Sequence, residues 1–371
     1  MNTKAIVNKA GHFYKAQERP IGTHLLLRWS GRDRYLVPHE AAALRLCWRI
    51  FQPGWLELPL RAMAHLQSLL GAASCGEDDK MATIREAICK EAGASCCRIG
   101  TPGPWSKDTI LFLNKQNKEP LCIVKAGAGE TVDLLLKNEA EWLRNMGAQA
   151  ALADHIPELV AHRSGADFSF LAESPLPGNP DYRLGELHFI FLRKLQQYSR
   201  RTVMYEESKL YRNLHARLKV LDGLLTDAWS MRIEEAMRRI DQSLSGRPLL
   251  FVAAHNDFTP WNIRVERGMA RIFDWEYADH EQLPLFDPLH FVLMPMALKS
   301  RPVAQMAQRM RETLELCREQ FGEESRFEEN AQALAYLTNL VTLYLCSQRG
   351  ITNSDYVLES YAKIIDFVCL S

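Results

Sequence analysis

Residues 249–276 read LLFVAAHNDFTPWNIRVERGMARIFDWE, and the order of polar groups along them decides the fold. Residues 249–254 are an unbroken apolar run, the pattern of a strand buried on both faces. The run ends in His255-Asn256-Asp257. Farther on, residues 263–265 and 269–273 flank the turn Glu266-Arg267-Gly268 and predict a hairpin. Asn262 stands just before the first hairpin strand and Asp274 just after the second. Antiparallel pairing returns both to one open end, beside the loop that holds Asp257.

Such a set suits phosphoryl transfer. One carboxylate orients the attacking hydroxyl and accepts its proton. An amide oxygen and a second carboxylate hold hard Mg²⁺ ions against phosphate oxygens. The expected roles are Asp257 as catalytic base, with Asn262 and Asp274 as metal ligands. Singly, each is an ordinary turn or strand-end residue. The ordered set H-x-D-x4-N, hairpin, D-W-E carries the reading.

Upstream, residues 97–176 read as short strands around one helix. The strands are expected at 109–113, 121–126, 159–162 and 168–172, and the helix at 132–146. Period-2 alternation puts Leu121, Ile123 and Lys125 on one strand face, so a lysine interrupts an inward-looking surface. On the helix, Leu136, Ala140 and Leu143 mark the buried stripe, with Glu139 at its rim. That is where a partner for Lys125 belongs, and a cation with a carboxylate to position it is what a kinase needs for phosphates. Gly100-Thr101-Pro102-Gly103-Pro104-Trp105-Ser106 reads either as a plain turn or as a loop whose backbone covers phosphates, with Gly100, Gly103 and Ser106 as the contacts. The Pro/Gly break at 173–178 predicts a hinge, whose backbone at Ala172 and Ser174 would meet a nucleotide base.

The segment from His255 to Glu276 resembles the Brenner-type motif of the aminoglycoside phosphotransferase and choline kinase superfamily, relatives of protein kinases. The resemblance covers about residues 97–300. It implies an α+β, two-lobed protein-kinase-like fold with a small β-rich lobe and a larger helical lobe. It implies ATP and Mg²⁺ as cofactors and a small-molecule hydroxyl acceptor. By the same resemblance Glu139 pairs with Lys125, His255 supports the catalytic loop, and Asp287 braces it. Asp287 before Pro288 also reads as a helix N-cap. The acceptor is expected to be a sugar, amino sugar or polyol. An amino alcohol of the choline or ethanolamine type is the alternative, with Glu276, Asp279 and Glu281 as the attraction for its charge. A catalytically silent nucleotide-binding scaffold is a third reading. Trp261 either stacks on a sugar face or belongs to the core.

The rest of the chain sets bounds. Its 371 residues allow three parts: an extension at 1–93, a nucleotide-binding lobe at 94–176 and a catalytic helical lobe at 177–371. The extension predicts a hairpin with strands at 25–29 and 34–37, then helices at 41–51, 59–70 and 80–92. Lys+Arg and Asp+Glu balance at 45 each, which speaks against a nucleic-acid partner. The nine cysteines show no C-x-x-C spacing and read as free thiols of a reducing cytoplasm. The apolar stretch 333–346 is too short for a membrane span and predicts a buried helix. No G-x4-G-K-[ST] is present, and Pro284 occupies the second-histidine place of an H-E-x-x-H motif, so P-loop and zincin chemistry are excluded.

Overall fold

The computed structural model describes residues 14–16, 24–29, 32–38, 74–77, 79–88, 91–100, 105–322, 328–347 and 355–370. The helices expected at 41–51 and 59–70 lie outside them. The chain forms two compact units, Met1–Gln149 with Ile156–Leu176, and Ala150–His155 with Pro177–Ser371.

Among the described residues, the first unit is an antiparallel sheet with two helices. Its elements are β1 (Tyr14–Ala16), β2 (His24–Trp29), β3 (Arg32–Pro38), β4 (Ser74–Glu77), α1 (Asp79–Ile88), β5 (Ala92–Arg98), β6 (Asp108–Asn114), β7 (Pro120–Gly127), α2 (Glu130–Gly147), β8 (Leu159–Arg163) and β9 (Ser169–Glu173). The nine strands run in the order β1-β4-β2-β3-β5-β6-β7-β9-β8. The sequence sets residues 1–93 apart, but the sheet does not stop there. Tyr35 and Leu36 of β3 pair with Arg98 and Cys97 of β5, because an exposed edge of β5 demands a partner for its backbone groups. The expected helix 80–92 ends early, at Ile88, and Ala92 already opens β5.

One face of this sheet is a dry core. Ile110, Phe112, Cys122, Val124, Phe170 and Ala172 are fully buried with Met81 and Ile84 of α1. Alternation sends the odd-numbered residues of β7 to the opposite face, where α2 packs on β7, β8 and β9. Cys96 is disulfide-bonded, which corrects the expectation of free thiols there. Spacing alone cannot reveal a pairing between residues that only the sheet brings together.

The second unit holds α3 (Glu186–Tyr198), β10 (Arg200–Met204), α4 (Lys209–Leu221), α5 (Asp227–Leu244), β11 (Pro248–Ala254), β12 (Ile263–Glu266), β13 (Met269–Ile272), β14 (Asp279–Gln282), α6 (Phe286–Leu298), α7 (Val303–Phe321), α8 (Glu329–Ser347) and α9 (Tyr356–Leu370). The apolar stretch at 333–346 is the buried heart of α8, which packs against α4, α5, α6 and α9. No helix among the described residues is long and apolar enough to cross a membrane. β11 lies between β10 and β14. The predicted hairpin forms as β12 and β13, with Ile263 opposite Ile272 and Glu266 opposite Met269.

Candidate active site

In the first unit a lysine lies between two buried carboxylates. Lys125 Nζ is 2.5 Å from Glu139 Oε1 and 3.6 Å from Glu173 Oε1, and all three side chains are buried. A lone buried ammonium would be very costly, so the pairing is what permits its burial. Glu139 sits within the buried stripe of α2 with Leu136 and Leu143. Glu173 was not singled out in the sequence, where it opens the Pro/Gly break. The signal lies in the register: Ile123 faces Glu173 and Lys125 faces Leu171, so all four share one sheet face.

The neighbouring expectations fare unevenly. Gly100 donates its N–H to Asp108 Oδ1 at 2.9 Å, pinning the base of the loop at 100–107. A Cβ on Gly100 would meet the Lys107 carbonyl oxygen at 2.3 Å, so only glycine fits this close approach. Ser106 is half-buried, and Gly103 lies outside the described residues. Ala172 is buried within β9, between β7 and β8. Ser174 donates its N–H to Glu158 O and accepts from Glu158 N with its hydroxyl, both at 2.9 Å. Its backbone N–H is therefore spent inside the unit.

In the second unit β11 delivers the loop that starts at His255. The backbone N–H of Asp257 donates to His255 Nδ1 at 3.2 Å, so the ring hydrogen belongs to Nε2, which donates to Phe273 O at 3.0 Å. His255 therefore ties the loop to the residue that precedes Asp274. Its ring meets Trp275 edge-on with centroids 4.6 Å apart. Phe258 anchors the loop from below, buried against Phe191 and Phe291.

Asp287 holds the loop from another side. Its carboxylate accepts from His255 N at 2.8 Å and Asn256 N at 2.9 Å. It lies inside the first turn of α6, whose N-cap is Leu285, so the N-cap reading of Asp287 is corrected. The carboxylate turns to the loop because Asn256 is left-handed (φ 61°), which aims two successive N–H groups at one acceptor. Burial pushes the Asp287 carboxyl above the usual range, against the pull of His255 and the two N–H groups.

Asn262 Nδ2 donates to Asp257 Oδ2 at 2.8 Å and to Asp257 O at 3.1 Å. Both partners are acceptors, which fixes the amide orientation and leaves Oδ1 as the atom available to a cation. Phe273 N donates to Asn262 O at 3.1 Å, closing the open end of the hairpin next to Asp274. Asp274 is itself left-handed, with φ 73° and ψ 56°, a conformation that carries strain in a non-glycine residue. Asp274 and Asp257 both act on Tyr277: burial first, then these two charges, push its phenol up to about 12. The amide oxygen and carboxylates gathered here are hard donors of the kind Mg²⁺ takes, so the residues fit that ion.

Other expectations change. Trp261 is 38% exposed, while Trp275 is fully buried. Asp279 pairs with Lys209, and Glu281 pairs with Arg201 and the Lys209 N–H. These two acids are thus paired with basic groups of their own unit. His290 was not singled out in the sequence, yet its Nε2 lies 3.2 Å from Asp257 Oδ1.

Residues 103–319, more than half of the chain, match the phosphotransferase enzyme family (APH). The fold is that of aminoglycoside phosphotransferase APH(4)-Ia, whose apo form superposes with a TM-score of 0.52 at 13% identity, over 74% of this chain and 94% of that one. APH(4)-Ia has also been captured with AMP-PNP and hygromycin B, a structure that superposes with a TM-score of 0.51 at 12% identity, over 74% of this chain and 93% of that one. A choline/ethanolamine kinase family protein from Mesorhizobium loti superposes with a TM-score of 0.50 at 16% identity, over 79% and 93%. No curated protein sequence matches the chain. The protein has the α+β protein-kinase-like fold, and it belongs to the phosphotransferase enzyme family.

Proposed function

We propose that this protein is a small-molecule kinase that transfers the γ-phosphate of ATP to a hydroxyl of a sugar, amino sugar or polyol. The observation that carries the reading is the pair of hydrogen bonds that Asn262 Nδ2 donates to Asp257, which fixes a carboxylate beside an uncommitted amide oxygen. Asp257 accepts the proton of the attacking hydroxyl as the new O–P bond forms and the bond to ADP breaks. Asn262 Oδ1 and the Asp274 carboxylate would hold Mg²⁺, which when bound neutralises charge on the phosphate oxygens. Lys125, oriented by Glu139 and Glu173, would hold the nucleotide phosphates, and the loop with Gly100 and Ser106 would cover them. His255 and Asp287 keep the loop backbone in place without touching substrate. Exposed Trp261, next to Asn262, offers a ring face for a sugar. Internal pairing of Asp279 and Glu281 favours the sugar-like class and leaves Glu276 as the remaining attraction for an amino alcohol.

The test is ADP release from Mg-ATP over a panel of sugars, polyols, hygromycin B, choline and ethanolamine. The expected result is turnover on a sugar-like member, abolished in Asp257→Ala. Turnover confined to choline or ethanolamine would shift the acceptor class. Nucleotide binding with no turnover on any member would favour a silent scaffold.

A further inference from the structure

Asp257 is held at both carboxylate oxygens by elements far apart in the chain. Asn262 occupies Oδ2 from the following turn, at 2.8 Å. His290 occupies Oδ1 from α6, at 3.2 Å. Behind the histidine, Nδ1 lies 3.1 Å from Tyr336 Oη on α8, which lies 3.2 Å from Tyr361 Oη on α9. His290, Tyr336 and Tyr361 are 4%, 3% and 0% exposed, so water does not substitute for any link.

The protonation pattern follows from the donors present. Burial holds the Tyr336 and Tyr361 phenols well above their ordinary range, so both keep their hydrogens. Tyr336 therefore has a hydrogen to offer Nδ1, with Tyr361 behind it. Nε2 then carries the hydrogen that meets Asp257, because a carboxylate only accepts.

We propose that His290 is a positioning residue for Asp257: its Nε2–H locks the carboxylate at the angle needed to receive the acceptor's proton, and Tyr336 and Tyr361 hold the imidazole from behind. This rests on the reading of Asp257 as the base. The χ2 torsion of an aspartate is broad, so one donor would leave the carboxylate free to swing. Two donors from different elements stop that rotation while leaving a lone pair on each oxygen. α6 suits the task. Asp287 and His290 are three residues apart and share a helix face. One holds the loop backbone at His255 and Asn256, the other the side chain at Asp257. Leu289, Phe291 and Leu293 are buried around them, so the helix is a rigid mount.

Two measurements on the full chain test this. In the first, nitrogen NMR of ¹⁵N-histidine protein locates the His290 signals by their loss in His290→Gln. The expected spectrum shows an Nε2-protonated ring whose Nε2 shift moves in Asp257→Ala; an Nε2 signal indifferent to that change overturns the proposal. This arm needs no turnover, so it reports on His290 even where Asp257→Ala stays active and the base reading fails. In the second, Mg-ATP turnover is followed with the panel member of highest activity. His290→Phe is expected to lower kcat about 10–100-fold, with KM for ATP within about twofold of wild type. His290→Gln, whose amide nitrogen can reach the same oxygen, should recover most of that loss. Equal losses in Phe and Gln variants, or a loss seen only in melting temperature, would reduce His290 to a packing residue.

Discussion

At the scale of single residues, the buried polar groups are the most exposed to substitution. Asp287 answers two backbone N–H groups that nothing else nearby satisfies as well, and it is 3% exposed. Asp287→Ala should cost roughly 2–4 kcal/mol, read as a lowered denaturation midpoint, because two buried donors lose their acceptor. Asp287→Asn retains one acceptor oxygen and should fall between. His188 carries a second prediction. Its Nδ1 accepts from Gly185 N at 3.3 Å, and its ring lies edge-on to Phe291 at 4.9 Å, with no hydrogen-bond partner for Nε2. Burial lowers its pKa below the ordinary 6.5, so the unfolded chain takes up a proton before the folded one does. This contribution to stability is complete above the unfolded value and is lost as pH falls through the folded one. The melting temperature should therefore decline as pH drops below about 6.5, and decline less in His188→Phe. Equal slopes in both proteins would contradict it.

At the scale of elements, the β12–β13 hairpin does the positioning. Its turn places Arg267 at φ 49° and Gly268 at φ 74°, the left-handed pair that matches the twist of two-residue hairpins. Gly268→Val forces a branched side chain into that region at a cost of about 1–2 kcal/mol. Because the hairpin holds Asn262 and Asp274 together at its open end, the strain should reach the proposed metal site. Calorimetry should show weaker binding of AMP-PNP in Mg²⁺ and unchanged binding without the metal. The same logic explains why this part was legible in the sequence. Asp257, Asn262 and Asp274 are joined by one short turn and one hairpin, so local pairing alone brings them together. Lys125 and Glu139 were legible for a similar reason, since strand and helix periodicities each named a face.

At the scale of the whole molecule, β1–β4 and α1, which precede residue 93, belong to the first unit's sheet and core. Met81 and Ile84 are fully buried against the strands that carry Lys125, and β3 completes the edge of β5. A chain shortened to begin at residue 91 should expose that face and edge, and aggregate or melt well below the full chain. Light scattering with a thermal melt checks this; a soluble, equally stable short form would show the early segment to be dispensable.

The sequence by itself determined the order and chemistry of the proposed catalytic groups, because residues within one hairpin, or one strand and its following helix, meet through local geometry. Only the tertiary structure decided what holds those groups still. Glu173 beside Lys125, His290 on Asp257, and the union of β3 with β5 all depend on segments that pair or pack across long stretches of chain. Such contacts are selected by the burial and hydrogen-bond needs of the whole core, and no local spacing encodes them.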